Sequence, residues 1–329
     1  MRNLVYFSPV AHHPVGGIKV FYRHAEAING LGTNDWRAQV FHWEQPDFAC
    51  NWFAHQTALK TDGTFEAVSD VPILPECHLW NFWRQFSDNG VRYGIFVQNG
   101  FLIGANRGLG LDEVAQAYRQ ASLILVISDE AAECVRLFVP ECAHKIVPVR
   151  YAIPSTLFHL PDGEKENLIT FMPRKLAEHA QLVSMFLQPA LPAGWRIAPI
   201  DGLPEAEVAA TLRRSKIFMS FCSLEGLPMP PAEAALCGNQ VVGYTGQGAR
   251  EYWAPGLFTE VPMGDIRGQV AAVLRLVDRL DARQRLGLPH LDDEARIALE
   301  TTRARFSVGR EAATLKALLA RADEALAPR

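Results

Sequence analysis

Two glutamates eight positions apart, Glu225 and Glu233, bracket a stiff turn in the stretch SLEGLPMPPAEAALCG, residues 223–238. Three prolines lie between them, and Pro230 and Pro231 suit the first turn of a helix, where a missing N–H costs little. The apolar run 217–220 reads as a strand, so residues 221–229 form a loop at its carboxyl end. Glu225 then sits in the loop and Glu233 about one turn into the helix. Carboxylates so placed accept hydrogen bonds from hydroxyls, and vicinal diols such as those of a sugar or a ribose suit them. Taken alone, the pair is better read as a solvated Glu225 and a Glu233 that balances the helix dipole.

Arg174 and Lys175 follow the apolar run 168–171. Fixed cations at such a point can hold an anionic ligand, although a basic pair standing alone is equally read as an ordinary surface pair. His12 and His13 lie in a loop with Gly16 and Gly17. Adjacent histidines point in different directions and no HxH or HExxH spacing occurs, so the pair is no metal site. It is read as a ligand contact or proton shuttle, or as a capping or core histidine. Gln98 and Asn99 end the strand 93–98 and are placed to bond a sugar hydroxyl, or else Asn99 and Gly100 form a turn.

Other signals fail. GANRGLG at 104–110 lacks GxGxxG spacing, no GxxxxGK[ST] occurs, and no DxD stands at a strand end. Asp292, Asp293 and Glu294 head a helix, where acidic residues are favoured. The six cysteines form no CxxC pair, which points to reduced core thiols.

The elements that must position these groups alternate. A strand at 4–7 leads through the histidine loop into a helix at 18–31. After an irregular, tryptophan-rich region at 36–86, strands recur at 93–98, 123–128 and 146–149, separated by helices at 111–120 and 129–138. Residues 154–166 carry two prolines, a glycine and four charges and read as a linker. A second series follows, with strands at 168–171, 196–199, 217–220, 240–244 and 257–260, and helices at 176–187, 205–215 and 230–236. Helical periodicity then runs through 266–280, 292–306 and 307–325. Such alternation predicts parallel sheets with helical crossovers. The expected division is 1–153, 154–306 and a C-terminal helix 307–329 packing back on the first domain.

The 329 residues suit two domains, and 49% hydrophobic with 21% charged residues is ordinary for a folded chain. A net charge of −4 gives no broad footprint for nucleic acid. The N-terminus meets His12, His13 and Pro14 too soon for a signal peptide, and no apolar run approaches the roughly 20 residues of a membrane span. The expectation is a soluble, cytoplasmic protein, at most peripheral to the inner face of a membrane. The five tryptophans at 36–83 read as a local core, with some offered as a stacking platform for a sugar ring or a lipid tail.

SLEGLPMPPAEAALCGNQVVGYTGQGAREYW resembles the donor-site signature of retaining glycosyltransferases of the GT-B fold, E-x7-E followed by a small apolar run, Cys-Gly, a Val-Val strand and a Gly-rich turn. LITFMPRKLAEHAQLV resembles the segment carrying that family's Gly-Arg and later Lys-Gly. VPVRYAIPSTLFHL resembles its crossing into the second domain, and the loop 12–17 its N-terminal Gly-Gly loop. The resemblance is strong in the second half and weaker in the first. It implies an α/β chain of two Rossmann-like domains facing across a cleft.

It also implies transfer of a hexosyl or deoxyhexosyl group from a nucleotide-diphosphate sugar to a glycan or lipid-linked acceptor, as in polysaccharide biosynthesis. That transfer would proceed with retention and with neither metal nor cofactor. Arg174, Lys175 and Glu225 take the catalytic roles. Gly17, Glu225, Gly226, Leu227 and Glu233 hold the donor, Glu225 at the sugar and Glu233 at the ribose. His12, His13, Gln98 and Asn99 are acceptor-side candidates. The family's later lysine falls near His179, and its Gly-Phe-Gly reads Gly226, Leu227, Pro228, which removes one backbone donor. A nucleotide-sugar epimerase of the same fold and an inactive nucleotide-sugar binding protein are the alternatives.

Overall fold

The computed structural model describes residues 1–33, 35–80 and 82–326; the last three positions of the expected C-terminal segment lie outside them. The chain divides into two compact units, residues 1–152 with 308–329 and residues 153–307. The first holds six strands, β1 (Arg2–Ser8), β2 (Trp36–His42), β3 (Asp70–Pro75), β4 (Gly94–Val97), β5 (Leu123–Val126) and β6 (Ile146–Pro148). All pair in parallel, in the order β2-β1-β3-β4-β5-β6. The crossovers contain α1 (Gly16–Asn29), α2 (Trp83–Asp88), α3 (Leu111–Gln120) and α4 (Asp129–Phe138). Strands such as GIFV and LILV are buried at every residue because helices cover both faces, which is why they read as unbroken apolar runs.

The second unit carries β7 (Glu166–Phe171), β8 (Arg196–Pro199), β9 (Ser215–Glu225), β10 (Gln240–Gln247) and β11 (Phe258–Glu260) in the parallel order β11-β10-β9-β7-β8. Its helices are α5 (Ala177–Leu187), α6 (Glu205–Arg214), α7 (Met229–Leu236), α8 (Ile266–Arg285) and α9 (Asp293–Arg305). One core cluster packs Ile169, Ile217, Met219 and Val242 of the sheet against Val183 of α5 and Val273 and Val277 of α8. Asp292 caps α9 by accepting from the Ala295 N–H at 2.9 Å, which accounts for the acidic run there.

The last helix, α10 (Val308–Leu326), belongs to the first unit. Leu315, Leu318, Leu319 and Ala322 are buried, Trp36 Nε1 donates to Asp323 at 2.9 Å, and Glu311 accepts the Ala152 N–H at 2.9 Å.

Three local readings change. The supposedly irregular region 36–86 contains β2, β3 and the start of α2; Pro72 and Pro75 in β3 disguised a central strand, because proline removes a ladder donor. Residues 154–166 are only partly exposed: Phe158 is buried, and the Lys165 amine donates to the carbonyls of Leu212, Arg213 and Ser215 at 3.1, 2.9 and 2.7 Å. Thirdly, β9 runs to Glu225, so that glutamate ends a strand rather than sitting in a loop, and α7 starts at Met229.

Each sheet has one place where the winding reverses. In the first it lies beside β1, which sits between β2 and β3; in the second beside β7, which sits between β8 and β9. In open parallel sheets, ligands bind outside the carboxyl ends of the strands at such points.

Candidate functional site

At the reversal in the second unit, Phe171 ends β7 opposite Met219, while β9 continues to Glu225. The chain leaving β7 turns back over this overhang, and the Lys175 amine forms an ion pair with the Glu225 carboxylate across 50 residues of sequence. The turn is tight enough to hold Leu176 at φ 48, in the left-handed region that costs a leucine energy. Arg174 and Lys175 are both exposed. Partial desolvation of its amine lowers the Lys175 pKa, and the Arg174 charge lowers it further.

Leu176 is also the N-cap residue of α5, which has no side-chain cap, so its first-turn N–H groups lack a side-chain acceptor. His179 stands one turn in, its ring 5.8 Å from that of Tyr244 and its Nδ1 buried with no hydrogen-bond partner. The opposite helix start is poorer in donors, because Pro230 and Pro231 follow the cap residue Pro228 into α7. An anion at this point therefore finds its donors on the β7–α5 side. Glu233 is the fifth residue of α7 and is partly exposed, as are Glu225 and Leu227, whereas Gly226 and Pro228 are buried.

The segment TGQGAREY, residues 245–252, braces this loop from behind. Gly246 and Gln247 take φ 57 and 70 as β10 ends, and Gln247 remains paired with Glu225. A Cβ on Gly248 would lie 2.1 Å from the Gly226 carbonyl oxygen and 2.5 Å from that of Glu225, so only glycine permits this approach. The Tyr252 hydroxyl donates to the Pro228 carbonyl. Glu251, itself nearly buried, pairs with Arg305 of α9 at 2.6 Å.

The reversal in the first unit gathers the other candidates. His12 and His13 are exposed in the bend after β1, and the His12 ring meets Phe48 edge-on at 5.2 Å. Gly17 is the second residue of α1; its carbonyl accepts from Gln98 Nε2 at 3.0 Å. The Asn99 side chain accepts from the Phe101 N–H at 3.1 Å, so Asn99 and Gly100 form the turn that was one of the two readings.

A residue not singled out in the sequence also lies here. Glu76 follows β3 directly, is 4% exposed and accepts the Asn99 N–H at 2.8 Å. Burial raises its pKa to about 7 against the pull of backbone N–H groups, first that of Asn99. The available signal was its place at the end of the apolar run VPILP.

The folded chain keeps on Glu76 a proton that the unfolded chain releases between pH 4.5 and about 7. This contribution to stability, about 3 kcal/mol, is full below the lower value and is lost as pH rises through the upper one. Glu76→Gln, which cannot ionise but still accepts from Asn99, should therefore lose less stability than the parent between about pH 5 and about pH 8. Urea unfolding at several pH values checks this, and parallel pH profiles for the two proteins would refute it.

Among the described residues, no group of three or more His, Cys, Asp or Glu side chains is arranged to hold a metal ion, and no helix is long and apolar enough to cross a membrane.

No protein-family model and no curated protein matches the chain. Solved structures do. Sucrose-phosphate synthase from Thermosynechococcus elongatus has a TM-score of 0.72 at 13% identity, over 99% of this chain and all of the other. Anabaena Alr3699/HepE in complex with UDP and glucose has a TM-score of 0.71 at 12% identity, over 97% of this chain and all of the other. A glycosyltransferase from Rickettsia africae ESF-5 has a TM-score of 0.65 at 12% identity, over the whole of this chain and 99% of the other. At such identities the likeness establishes the fold: two Rossmann-like α/β domains, shared with glycosyltransferases of the GT-B class.

Proposed function

We propose that this chain is a glycosyltransferase that moves a hexosyl or deoxyhexosyl group from a nucleotide-diphosphate sugar to a glycan or lipid-linked acceptor, with retention and without a metal. The observation that carries the reading is the Lys175–Glu225 ion pair at the winding reversal of the second sheet, beside a helix start and in E-x7-E spacing with Glu233. A cation for a diphosphate and a carboxylate for sugar hydroxyls thus meet where the fold places ligands.

In this reading the diphosphate takes Lys175 away from Glu225. An exposed ion pair is worth only about 0–1 kcal/mol, so exchange for a more highly charged anion is favourable. As the bond from sugar to phosphate lengthens, Arg174, Lys175 and the N–H groups of α5 stabilise the charge on the departing oxygen. Freed from Lys175, Glu225 accepts hydrogen bonds from the sugar. Glu233 accepts them from the ribose, and Gly226 and Leu227 form the adjoining wall. The departing phosphate oxygen takes the proton of the attacking hydroxyl, which gives retention. His12, His13, Gln98 and Asn99 stand on the acceptor side.

HepE was solved with UDP and glucose, so a uridine diphosphate hexose is the first donor to try. Proton NMR of the protein with a panel of such donors should show release of nucleoside diphosphate, with the configuration of the donor kept in the sugar product. Interconversion of the donor sugar would mean an epimerase, and binding without turnover a binding protein. Glu233→Ala should raise the donor KM by about 10-fold to 100-fold with a smaller change in kcat, because the ribose contact is equal in ground and transition states. A fall in kcat alone would contradict that role.

A further inference from the structure

Beyond the donor site, the carboxyl ends of β1, β2 and β3 carry a second constellation that the reaction described above does not use. Trp43, the first residue after β2, is only partly buried, whereas Trp36 and Trp83 are 4% and 2% exposed. Its ring centroid lies 5.4 Å from Phe82 and 6.5 Å from Phe7, with the His78 ring beside it at 5.2 Å. Next to it, exposed Glu44 accepts the Val10 N–H at 3.0 Å. Both Glu44 and Arg107 act electrostatically on His78, whose pKa burial lowers.

The surface is held rigidly. His42, immediately before Trp43, is fixed by the Tyr22 hydroxyl at 2.6 Å and by the Pro9 carbonyl at 3.1 Å. Buried Asn106 ties the loop after β3 to the loop after β4, accepting from the Leu79 N–H and donating to the Glu76 carbonyl, both at 2.8 Å. A partly exposed indole on a fixed base, edged by a carboxylate and an imidazole, matches a pyranose: an apolar C–H face for stacking and hydroxyls at the rim. A hydrocarbon chain would meet this charged rim unfavourably.

We propose that Trp43, His78 and Glu44 hold the acceptor, and that the acceptor presents a sugar ring stacked on Trp43 with its hydroxyls bonded to Glu44. This rests on the transferase reading and names the acceptor class for it. The stacking surface comes from a residue already among the sequence candidates for a platform, and Glu44 follows it directly, while His78 enters only through the strand order.

The test uses the full chain and needs no knowledge of the natural acceptor. Saturation-transfer NMR with methyl α- and β-hexopyranosides should detect binding of at least one probe to the free protein and none to Trp43→Ala. Transfer from the donor to p-nitrophenyl hexopyranosides should fall about tenfold in kcat/KM in Trp43→Ala, mainly through KM, with donor hydrolysis and nucleoside diphosphate affinity unchanged. Trp43→Phe and Glu44→Gln provide conservative variants; each should raise acceptor KM by a smaller factor. Unchanged acceptor KM in folded variants, or an effect confined to acceptors with long alkyl tails, overturns the proposal. Donor turnover by the parent protein without binding of any pyranoside does so too. Failure of the parent protein to bind any donor would instead sink the transferase reading, while pyranoside binding that Trp43→Ala abolishes would still place a sugar site here.

Discussion

Glu225→Ala should lower sugar transfer about 10²-fold, the equivalent of ~3 kcal/mol for hydrogen bonds to a charged group, while nucleoside diphosphate affinity stays unchanged or rises. The asymmetry follows from the ion pair. Glu225 and Lys175 engage each other in the free protein, so removing the carboxylate removes a competitor for the diphosphate along with a partner for the sugar. Release of Lys175 can tighten diphosphate binding by at most about fivefold, given what an exposed ion pair is worth. The glutamate side chain is only 20% exposed but borders solvent, so its truncation should cost little stability. Calorimetry with the nucleoside diphosphate and a transfer assay with the intact donor separate the two effects. Parallel loss of both would show that Glu225 serves the nucleotide rather than the sugar.

A second large effect is expected from a residue with no polar side chain at all. Gly248→Val should abolish measurable transfer and destabilise the second unit by about 1–3 kcal/mol or more. Any Cβ at 248 would lie 2.1 Å from one backbone oxygen and 2.5 Å from another, those of Gly226 and Glu225, and backbone cannot rotate away as a side chain can. The strand end must then move, and displacement of a reacting group by about 1 Å is enough to cost ~10²-fold in rate. Gly163→Ala is the matching control, because nothing lies within 4 Å of the Cβ it would add. Urea unfolding and the transfer assay should show the control near the parent protein and Gly248→Val far from it. Near-equal activity in the two would mean that the close approach at Gly248 does not position Glu225.

Much of the architecture was legible because a parallel sheet covered on both faces writes itself as short apolar runs: LILV, GIFV and ENLITF each became a strand within a few residues of the expected bounds. β2 and β3 were not legible. WRAQVFH is broken by Arg37 and Gln39 and ends on His42, so it is no apolar run, and DVPILP carries two prolines. Missing β3 also hid Glu76 and His78, whose significance depends on knowing that a central strand ends just before them.

At the donor side, the sequence could nominate Lys175 and Glu225 separately, from the turn after one strand and the signature after another. Their pairing depends on β7 lying beside β9 and on β9 outrunning it, which is a property of strand order and no local pattern. Pro228 shows the reverse case. Its missing N–H was visible at once, but its carbonyl is held by Tyr252, 24 residues away, so it also fixes the loop it seemed only to impoverish.

The central claim, that the winding reversal of the second sheet grips a nucleotide diphosphate, is tested most directly by titrating nucleoside diphosphates into the parent protein and into Arg174→Ala/Lys175→Ala. At least one diphosphate should bind the parent protein, and its affinity should fall about 10²-fold in the double variant, as expected for two charge-assisted contacts of ~1.5 kcal/mol each. No binding to the parent protein, or equal affinity in the two proteins, would contradict the account.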